Sequence, residues 1–419
     1  MLSANIQKLD ICSARRPPVD QYQVLIVGAG PVGSRIATEL ALRDISVLLV
    51  EEHSEIGRPF QCAGLVNPSS MEIVGLTESI LQNIDGAKIH SPSGTMVQVG
   101  TEGRVRTHVV CRKRFDQGVT RQAQEAGAHL WLLCHPLEVE TNPEGHNVIL
   151  MREGKKVEVK CKLLIGADGA HSWVRRTFKM GRPTEMMVGF QSEVVGYESE
   201  DNWLQMYSGD AVAAGLFAWV IPSGLGTHRI GVWAKPEDLN GRSVEELYDT
   251  LLDHPLWRER FSNCKEIARY CGPIPCGVIK KPCKNRILLI GDAAGMAKPT
   301  TGGGIGPGFN QVAAIIEKLT KAINADKLSE KSLNSICKPY KELKKDQAKA
   351  RALRDLLVTS PSDEQLDSHF EMFNRKDVLE LINSEGDIEH PVILGMALLR
   401  KVPKFRKLAV KAGIKIIFA

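Results

Sequence analysis

At 419 residues the chain is about two to three times the length of a typical domain, so more than one cooperative unit is expected. Its 43% hydrophobic and 25% charged residues exclude the disordered, collagenous and disulfide-miniprotein classes, and no apolar run reaches the about 18–20 residues of a membrane-spanning helix. The net charge of +5 is mild, and no basic stripe interleaved with aromatics points to nucleic acid. Ten cysteines over this length do not make a disulfide scaffold, and residues 1–20 lack the apolar core of a secretory leader, so free thiols in a reducing cytoplasm are expected.

Residues 1–20 are polar, contain Arg15, Arg16, Pro17 and Pro18, and read as an N-terminal extension. Val24-Leu25-Ile26-Val27 is a continuous apolar run ending at Gly28, the pattern of a parallel strand buried on both faces. Helical spacing follows over 31–43, with Val32, Ile36, Ala37 and Leu40 on one side, before a second run, Val47-Leu48-Leu49-Val50, ends at Glu51. Leu163-Leu164-Ile165 precedes Gly166-Ala167-Asp168-Gly169, and Ile287-Leu288-Leu289-Ile290 precedes Gly291-Asp292, so two distant runs share one grammar. These four strands are expected in one parallel sheet, giving an α/β, Rossmann-type domain built from 21–180 and 278–320. Residues 181–277 carry shorter alternating runs (Met187–Val195, Ala213–Ile221, His228–Ala234), which predict an inserted antiparallel-sheet domain for substrate. Residues 321–419 read as a charged, C-terminal helical region, notably over Lys338–Leu357.

Gly28-Ala29-Gly30-Pro31-Val32-Gly33 is a G-x-G-x-x-G between strand and helix. The first glycine permits the tight turn, the second lets a pyrophosphate approach the backbone, and the third lets helix and strand pack closely. The phosphates would sit on the helix N-terminus. Glu51, eighteen positions past Gly33, is placed to accept ribose hydroxyls; Glu52, the alternative, should face the other way. The two Gly-Asp segments favour FAD over NAD. Asp292 can accept a ribityl hydroxyl, and Gly302, Gly303 and Gly304, followed by Ile305, can present N–H groups to the flavin's electron-rich edge.

At these residues the chain resembles the p-hydroxybenzoate-hydroxylase-like class of FAD proteins. Gly28–Gly33, Ala167-Asp168-Gly169 with Ser172 and Arg175, and Gly291-Asp292 correspond to its three motifs. Arg112, followed by Phe115-Asp116, resembles its flavin-contacting arginine at a helix start. Within the class, three stretches resemble the geranylgeranyl reductase family. They are the Gly57–Gly64 loop with Cys62 and Ala63, the Gly291–Gly295 to Pro299–Gly302 segment, and Leu216–Pro222, similar to its Y-x-W-x-F-P motif. In this chain Phe217 replaces the motif's tyrosine, Ile221 its phenylalanine, and Gly303 the glutamate of the family's G-E-G.

The resemblance implies FAD-dependent saturation of isolated C=C bonds in geranylgeranyl chains, of archaeal-type membrane lipids or of a chlorophyll-type prenyl tail. Such an alkene has no carbonyl to stabilise a carbanion, so hydride is expected from reduced flavin and a proton from elsewhere. Cys62 is the candidate proton donor, directly or through a water it holds, with a buried small hydrophobe as the alternative. Trp219 and Phe217 are candidates for stabilising developing positive charge through their ring faces, with plain wall packing as the alternative. Cys264, Cys271, Cys276 and Cys283, spaced C-x6-C-x4-C-x6-C, match no standard metal pattern, and no metal is expected. The chain shows no second G-x-G-x-x-G, so the electron donor is expected to bind transiently, as NAD(P)H or ferredoxin. The apolar and basic residues of Leu398–Phe418 suggest either an amphipathic anchor at the inner face of the cell membrane or a packed C-terminal helix. An aromatic-ring monooxygenase and a non-catalytic lipid carrier that keeps FAD structurally are the competing readings.

Overall fold

The structure is a computed structural model that describes residues 21–60, 62–198, 202–385 and 391–411; the expected 1–20 extension lies outside the described residues. The four apolar runs share one sheet, in the order Cys283–Lys284, Ile287–Leu289, Lys155–Gly166, Gln21–Val27, Val47–Val50, His129–Trp131. Val24 is paired with Leu163 on one side and Val47 on the other, both parallel, and Leu164 with Ile287. Val24, Leu25, Ile26, Leu163, Leu164, Ile165, Leu288 and Leu289 have no exposed surface, which is why these strands carry no polar alternation. Helices Pro31–Ala41 and Ile305–Asn324 contribute Ile36, Leu40, Ile315 and Leu319 to the same core. The carboxyl ends of the parallel strands, at Val27, Gly166 and Leu289, therefore lie along one edge, where open α/β sheets bind ligands.

The second sheet is seven-stranded, in the order Lys265–Cys276, Glu185–Val195, Thr227–Ala234, Ala218–Pro222, Trp203–Tyr207, Gly86–His90, Met96–Gly100. Five strands come from 181–277, as the alternating runs suggest. The last two come from inside the 21–180 segment, because Gly86–His90 adds parallel to Trp203–Tyr207 with Gly86 opposite Trp203. Those strands are five residues long and carry one buried apolar position each, Ala87 and Val97, too little to signal the excursion. One face of this sheet buries Tyr207, Val220, Ile230 and Val232 with Leu247 and Leu251 of helix Val244–Asp253. Its other face, carrying Leu204, Met206, Trp219 and Ile221, looks toward the first sheet and lines the cavity described below.

The C-terminal helices are joined to this frame by a buried ion cluster. Arg354, at the end of helix Lys338–Arg354, bonds Glu185 at 2.8 Å and the Pro299 carbonyl at 2.8 Å, and Arg351 bonds Glu185 at 2.7 Å. The described part of the basic tail folds inward. Leu398, Leu399, Val402 and Phe405 are buried with Leu353, Met372 and Leu381, which favours the packed-helix alternative over a free anchor for that part. Ile414, Lys415, Ile416, Ile417 and Phe418 lie outside the described residues. The cysteines noted between 264 and 283 are not gathered at one point: Cys276 ends a strand of the second sheet, whereas Cys283 is buried in the first, its sulfur 3.1 Å from that of Cys337.

Candidate active site

Three helices begin at the carboxyl edge of the first sheet. Pro31–Ala41 starts at Gly30, Arg112–Glu125 at Cys111 and Ile305–Asn324 at Gly304, and no side chain caps any of them. Their first-turn N–H groups and macrodipoles make this edge receptive to negative charge. The glycine turn separates what the chain itself requires from what it leaves open. A Cβ on Gly28 (φ +99) would stand 2.5 Å from the Ala167 carbonyl oxygen, and one on Gly33 would overlap the carbonyl oxygen of Gly28. At Gly30 a Cβ would meet nothing within 4 Å, and its φ of −65 is open to any residue. No neighbour demands that glycine, and the space beside it belongs to a cavity of about 420 Å³. A cradle kept open beside uncapped N–H groups fits the pyrophosphate of FAD.

Glu51 flanks the turn, its Oε2 accepting from the Ala29 N–H at 3.0 Å, whereas Glu52 is exposed. Asp168 is directed into the sheet end. Its Oδ2 accepts from Val174 N–H at 3.1 Å, and its buried Oδ1 has no hydrogen-bond partner among the described residues. Burial raises its pKa. The cavity wall here is Ala167 and Gly169 rather than Asp168 itself. Ser172 caps the helix Trp173–Thr177 by accepting from Arg175 N–H at 2.9 Å. The buried Arg175 guanidinium then donates to the carbonyls of Ala170 and Ala293, tying the two Gly-Asp loops together.

Gly291, Asp292, Gly302, Gly303, Gly304 and Ile305 form the facing wall with Lys298. Gly302 has φ +71, and a Cβ on Gly304 would come within 2.7 Å of Asp292 Oδ1, so the glycines let the carboxylate lie against the helix start. Burial pushes the Asp292 pKa up to about 6 against the pull of Arg112. Arg112, first residue of its helix, donates two 2.9 Å bonds to Asp116 and lines the cavity. Burial opposes its charge, but Asp116 and the nearby Cys62 sulfur outweigh burial and hold its pKa above the ordinary value.

Beyond the glycine walls the cavity becomes apolar and aromatic. Leu204, Met206, Phe217, Trp219, Ile221, Trp233 and Ile274 line it. Phe217 meets Trp233 edge-on at 5.4 Å and Trp219 at 6.2 Å. Gly231 opens the room for Trp219, since a Cβ there would overlap the indole ring. Cys62 and Ala63 enter from a loop of the first domain, and Cys62 Sγ accepts from Gly64 N–H at 3.3 Å. Second-sheet residues hold this loop: Gln191 Nε2 donates to the Cys62 carbonyl at 3.3 Å, and Arg229 Nη1 to the Ala63 carbonyl at 2.9 Å.

The residues singled out from the sequence thus divide. Gly30, Pro31, Val32, Cys62, Ala63, Arg112, Phe217, Trp219, Gly291, Asp292, Gly302, Gly303, Gly304 and Ile305 share one cavity. Gly28 and Gly33 shape the turn by backbone approach, Glu51 stands at its flank, and Glu52 and Asp168 point elsewhere. Lys298, Gln191, Arg229 and Trp233 were not foreseen. Trp233 and Arg229 alternate along Thr227–Ala234, but no motif marks Gln191.

A family described as FAD-binding domain matches residues 21–250. Digeranylgeranylglycerophospholipid reductase 2 of Methanopyrus kandleri is 30% identical over 375 residues, covering 87% of this chain and 93% of its own. Digeranylgeranylglycerophospholipid reductase 1 of Methanothermobacter thermautotrophicus is 30% identical over 370 residues, covering 85% and 91%. Among solved structures, a geranylgeranyl bacteriochlorophyll reductase-like protein from Thermoplasma acidophilum shares the fold. Its TM-score is 0.83 at 22% identity, over 93% of this chain and 99% of that one. With its flavin cradle and its apolar cavity joined, the chain belongs to the digeranylgeranylglycerophospholipid reductase family of FAD-binding proteins.

Proposed function

We propose that this protein saturates C=C bonds in the geranylgeranyl chains of archaeal-type membrane lipids. The observation that carries this reading is the continuity of one cavity, from the glycine cradles to a wall of Leu204, Met206, Phe217, Trp219, Ile221, Trp233 and Ile274. When bound and reduced by its electron donor, FAD would supply the hydride. Gly30 and the first turn of Pro31–Ala41 would hold its phosphates, Glu51 its ribose, Asp292 its ribityl chain, and Gly302–Ile305 its ring edge.

The aromatic faces exclude water and offer their quadrupoles to positive charge at the tertiary alkene carbon. Cys62 releases its thiol proton to the other carbon. The Arg112 guanidinium and the Gly64 N–H stand beside the sulfur that is left negative. Electrons come from NAD(P)H or ferredoxin bound transiently. The enzyme works in the cytoplasm in peripheral contact with the inner face of the membrane, because its substrate chain must be drawn from a bilayer or carrier. No described helix is long and apolar enough to cross a membrane.

The test is anaerobic mixing of dithionite-reduced holoprotein with geranylgeranyl lipid. Flavin reoxidation with formation of saturated product is expected. Reoxidation that needs oxygen and a phenolic substrate would support a monooxygenase instead, and no reoxidation a lipid carrier. Cys62→Ala should keep bound FAD and lose about 100-fold or more in alkene reduction, the usual contribution of a positioned proton donor. Undiminished turnover removes Cys62 from the chemistry.

A further inference from the structure

The loop that brings Cys62 to the cavity belongs to the first domain, yet the two side-chain bonds that reach its carbonyls come from the second sheet. Gln191, on strand Glu185–Val195, is buried and uses both ends of its amide. Its Nε2 donates to the Cys62 carbonyl at 3.3 Å, and its Oε1 accepts the Trp219 indole N–H at 3.2 Å. The indole N–H can only donate, so it fixes which end of the amide faces Trp219 and directs the amide's donor at Cys62. One residue further on, Arg229 Nη1 donates to the Ala63 carbonyl at 2.9 Å, its guanidinium 4.8 Å from the Phe60 ring centroid. A Cβ on Gly64 would overlap that guanidinium, so the glycine lets the loop sit down on it.

We propose that Gln191 is a positioning residue for the proposed reaction. Oriented by the Trp219 N–H, it fixes the Cys62 thiol over the cavity from the opposite domain. This rests on the reading of Cys62 as proton donor. A misplacement of about 1 Å in a reacting group can cost about 100-fold in rate, so a loop held at two carbonyls is sensitive to either clamp. The chain Trp219–Gln191–Cys62 also gives Trp219 a task through its N–H, separate from any effect of its ring face.

The test uses FAD-loaded full-length protein and two readouts. The first is the rate at which iodoacetamide alkylates Cys62, followed by peptide-resolved mass spectrometry with half-buried Cys264, which does not line the cavity, as internal reference. The second is single-turnover reoxidation by geranylgeranyl lipid. Gln191→Leu should change Cys62 alkylation at least about fivefold while Cys264 is unchanged. It should also lower kcat at least about tenfold with little change in KM. Trp219→Phe keeps an aromatic wall and loses the N–H; it should shift both readouts the same way, and the double variant should add little, as expected for residues acting as one unit. Gln191→Glu adds a signature that a merely structural role would not produce. Its protonated carboxyl can still donate to the Cys62 carbonyl, so turnover should fall as pH rises through that group's titration, a step absent from the parent.

Gln191→Leu with parental alkylation and parental kcat overturns the inference, as does a Gln191→Glu pH profile identical to the parent's. These failures are distinct from failure of the proton-donor reading, which shows as full turnover in Cys62→Ala. A Gln191→Leu variant that loses FAD or unfolds leaves Gln191→Glu and Trp219→Phe to decide.

Discussion

Gly30 offers a direct test of the empty cradle, because the chain gives it no reason to be glycine. In Gly30→Ala the new methyl meets nothing within 4 Å, and the φ of −65 suits alanine. Apoprotein stability should therefore hold, or rise by up to about 1 kcal/mol through loss of unfolded-state entropy. Gly33→Ala is the control, since its methyl would overlap the Gly28 carbonyl oxygen and force helix and strand apart, at about 1–3 kcal/mol. FAD binding should rank the two differently. A methyl in the cradle holds the pyrophosphate off the uncapped N–H groups, and one charge-assisted hydrogen bond lost costs about 1.5–3 kcal/mol, or about 10- to 100-fold in Kd. Titration calorimetry of apoprotein with FAD gives the Kd, and urea unfolding with and without cofactor gives the stability. Parental protein at 100 times its Kd should gain about 2.7 kcal/mol, of which Gly30→Ala should lose about 1.3 to 2.3 kcal/mol. Parental affinity in Gly30→Ala, or apoprotein destabilised as much as in Gly33→Ala, would refute the assignment of that space to the cofactor.

Asp292, its pKa pushed up to about 6 by burial, costs the apoprotein stability when charged. The folded value lies above the ordinary 3.8, so its favourable share is complete below about pH 4 and lost as pH rises toward 6. Asp292→Asn apoprotein should accordingly gain at most about 3 kcal/mol over the parent at pH 7 and nothing at pH 3.5; a gain independent of pH would contradict this. Arg354→Ala should destabilise by about 1.5–3 kcal/mol, because it removes one of the two arginines bonded to the Glu185 carboxylate while Arg351 stays at 2.7 Å. Burial opposes the charge on Glu185, yet Arg354 and Arg351 hold its pKa below the ordinary 4.5. That stability is present above about pH 4.5 and fades as pH falls through the lower folded value, so the variant's penalty in urea should be flat above pH 5 and shrink below 4.

What the chain announces in one dimension is what backbone geometry demands. Gly28 and Gly33 are written as glycine because carbonyl oxygens occupy the places of their side chains. The four buried strands are written as unbroken apolar runs because both of their faces are buried. Those signals mark the glycine turn and the helix after it, and Arg112, singled out by its resemblance to a flavin-contacting arginine at a helix start, lines the same cavity as Gly30. Asp168 shows why a lone motif residue is ambiguous: a carboxylate at a strand end serves equally well as a hydrogen-bond partner for the next helix, and in the structure one of its oxygens bonds Val174 N–H. Gln191 and Arg229 were invisible for a different reason. Each makes its decisive bonds to residues more than a hundred positions away, and a polar residue on a strand's inward face carries no mark of its distant partner.

The position of Cys62 follows from this division. The first domain can build a flavin cradle from its own strand ends and helix starts. The second sheet decides what stands opposite the cradle, and here that is an aromatic wall in which Phe217, Trp219 and Trp233 meet edge-on. Cys62 lies at the seam, carried by one domain and held by the other through Gln191 and Arg229. A change in how the two sheets sit relative to each other would move the thiol before it moved the cradle. FAD retention and alkene reduction should therefore be separable by mutation: substitutions on the second sheet should lose reduction while the protein stays yellow, and only those at the first sheet's edge should lose the cofactor itself.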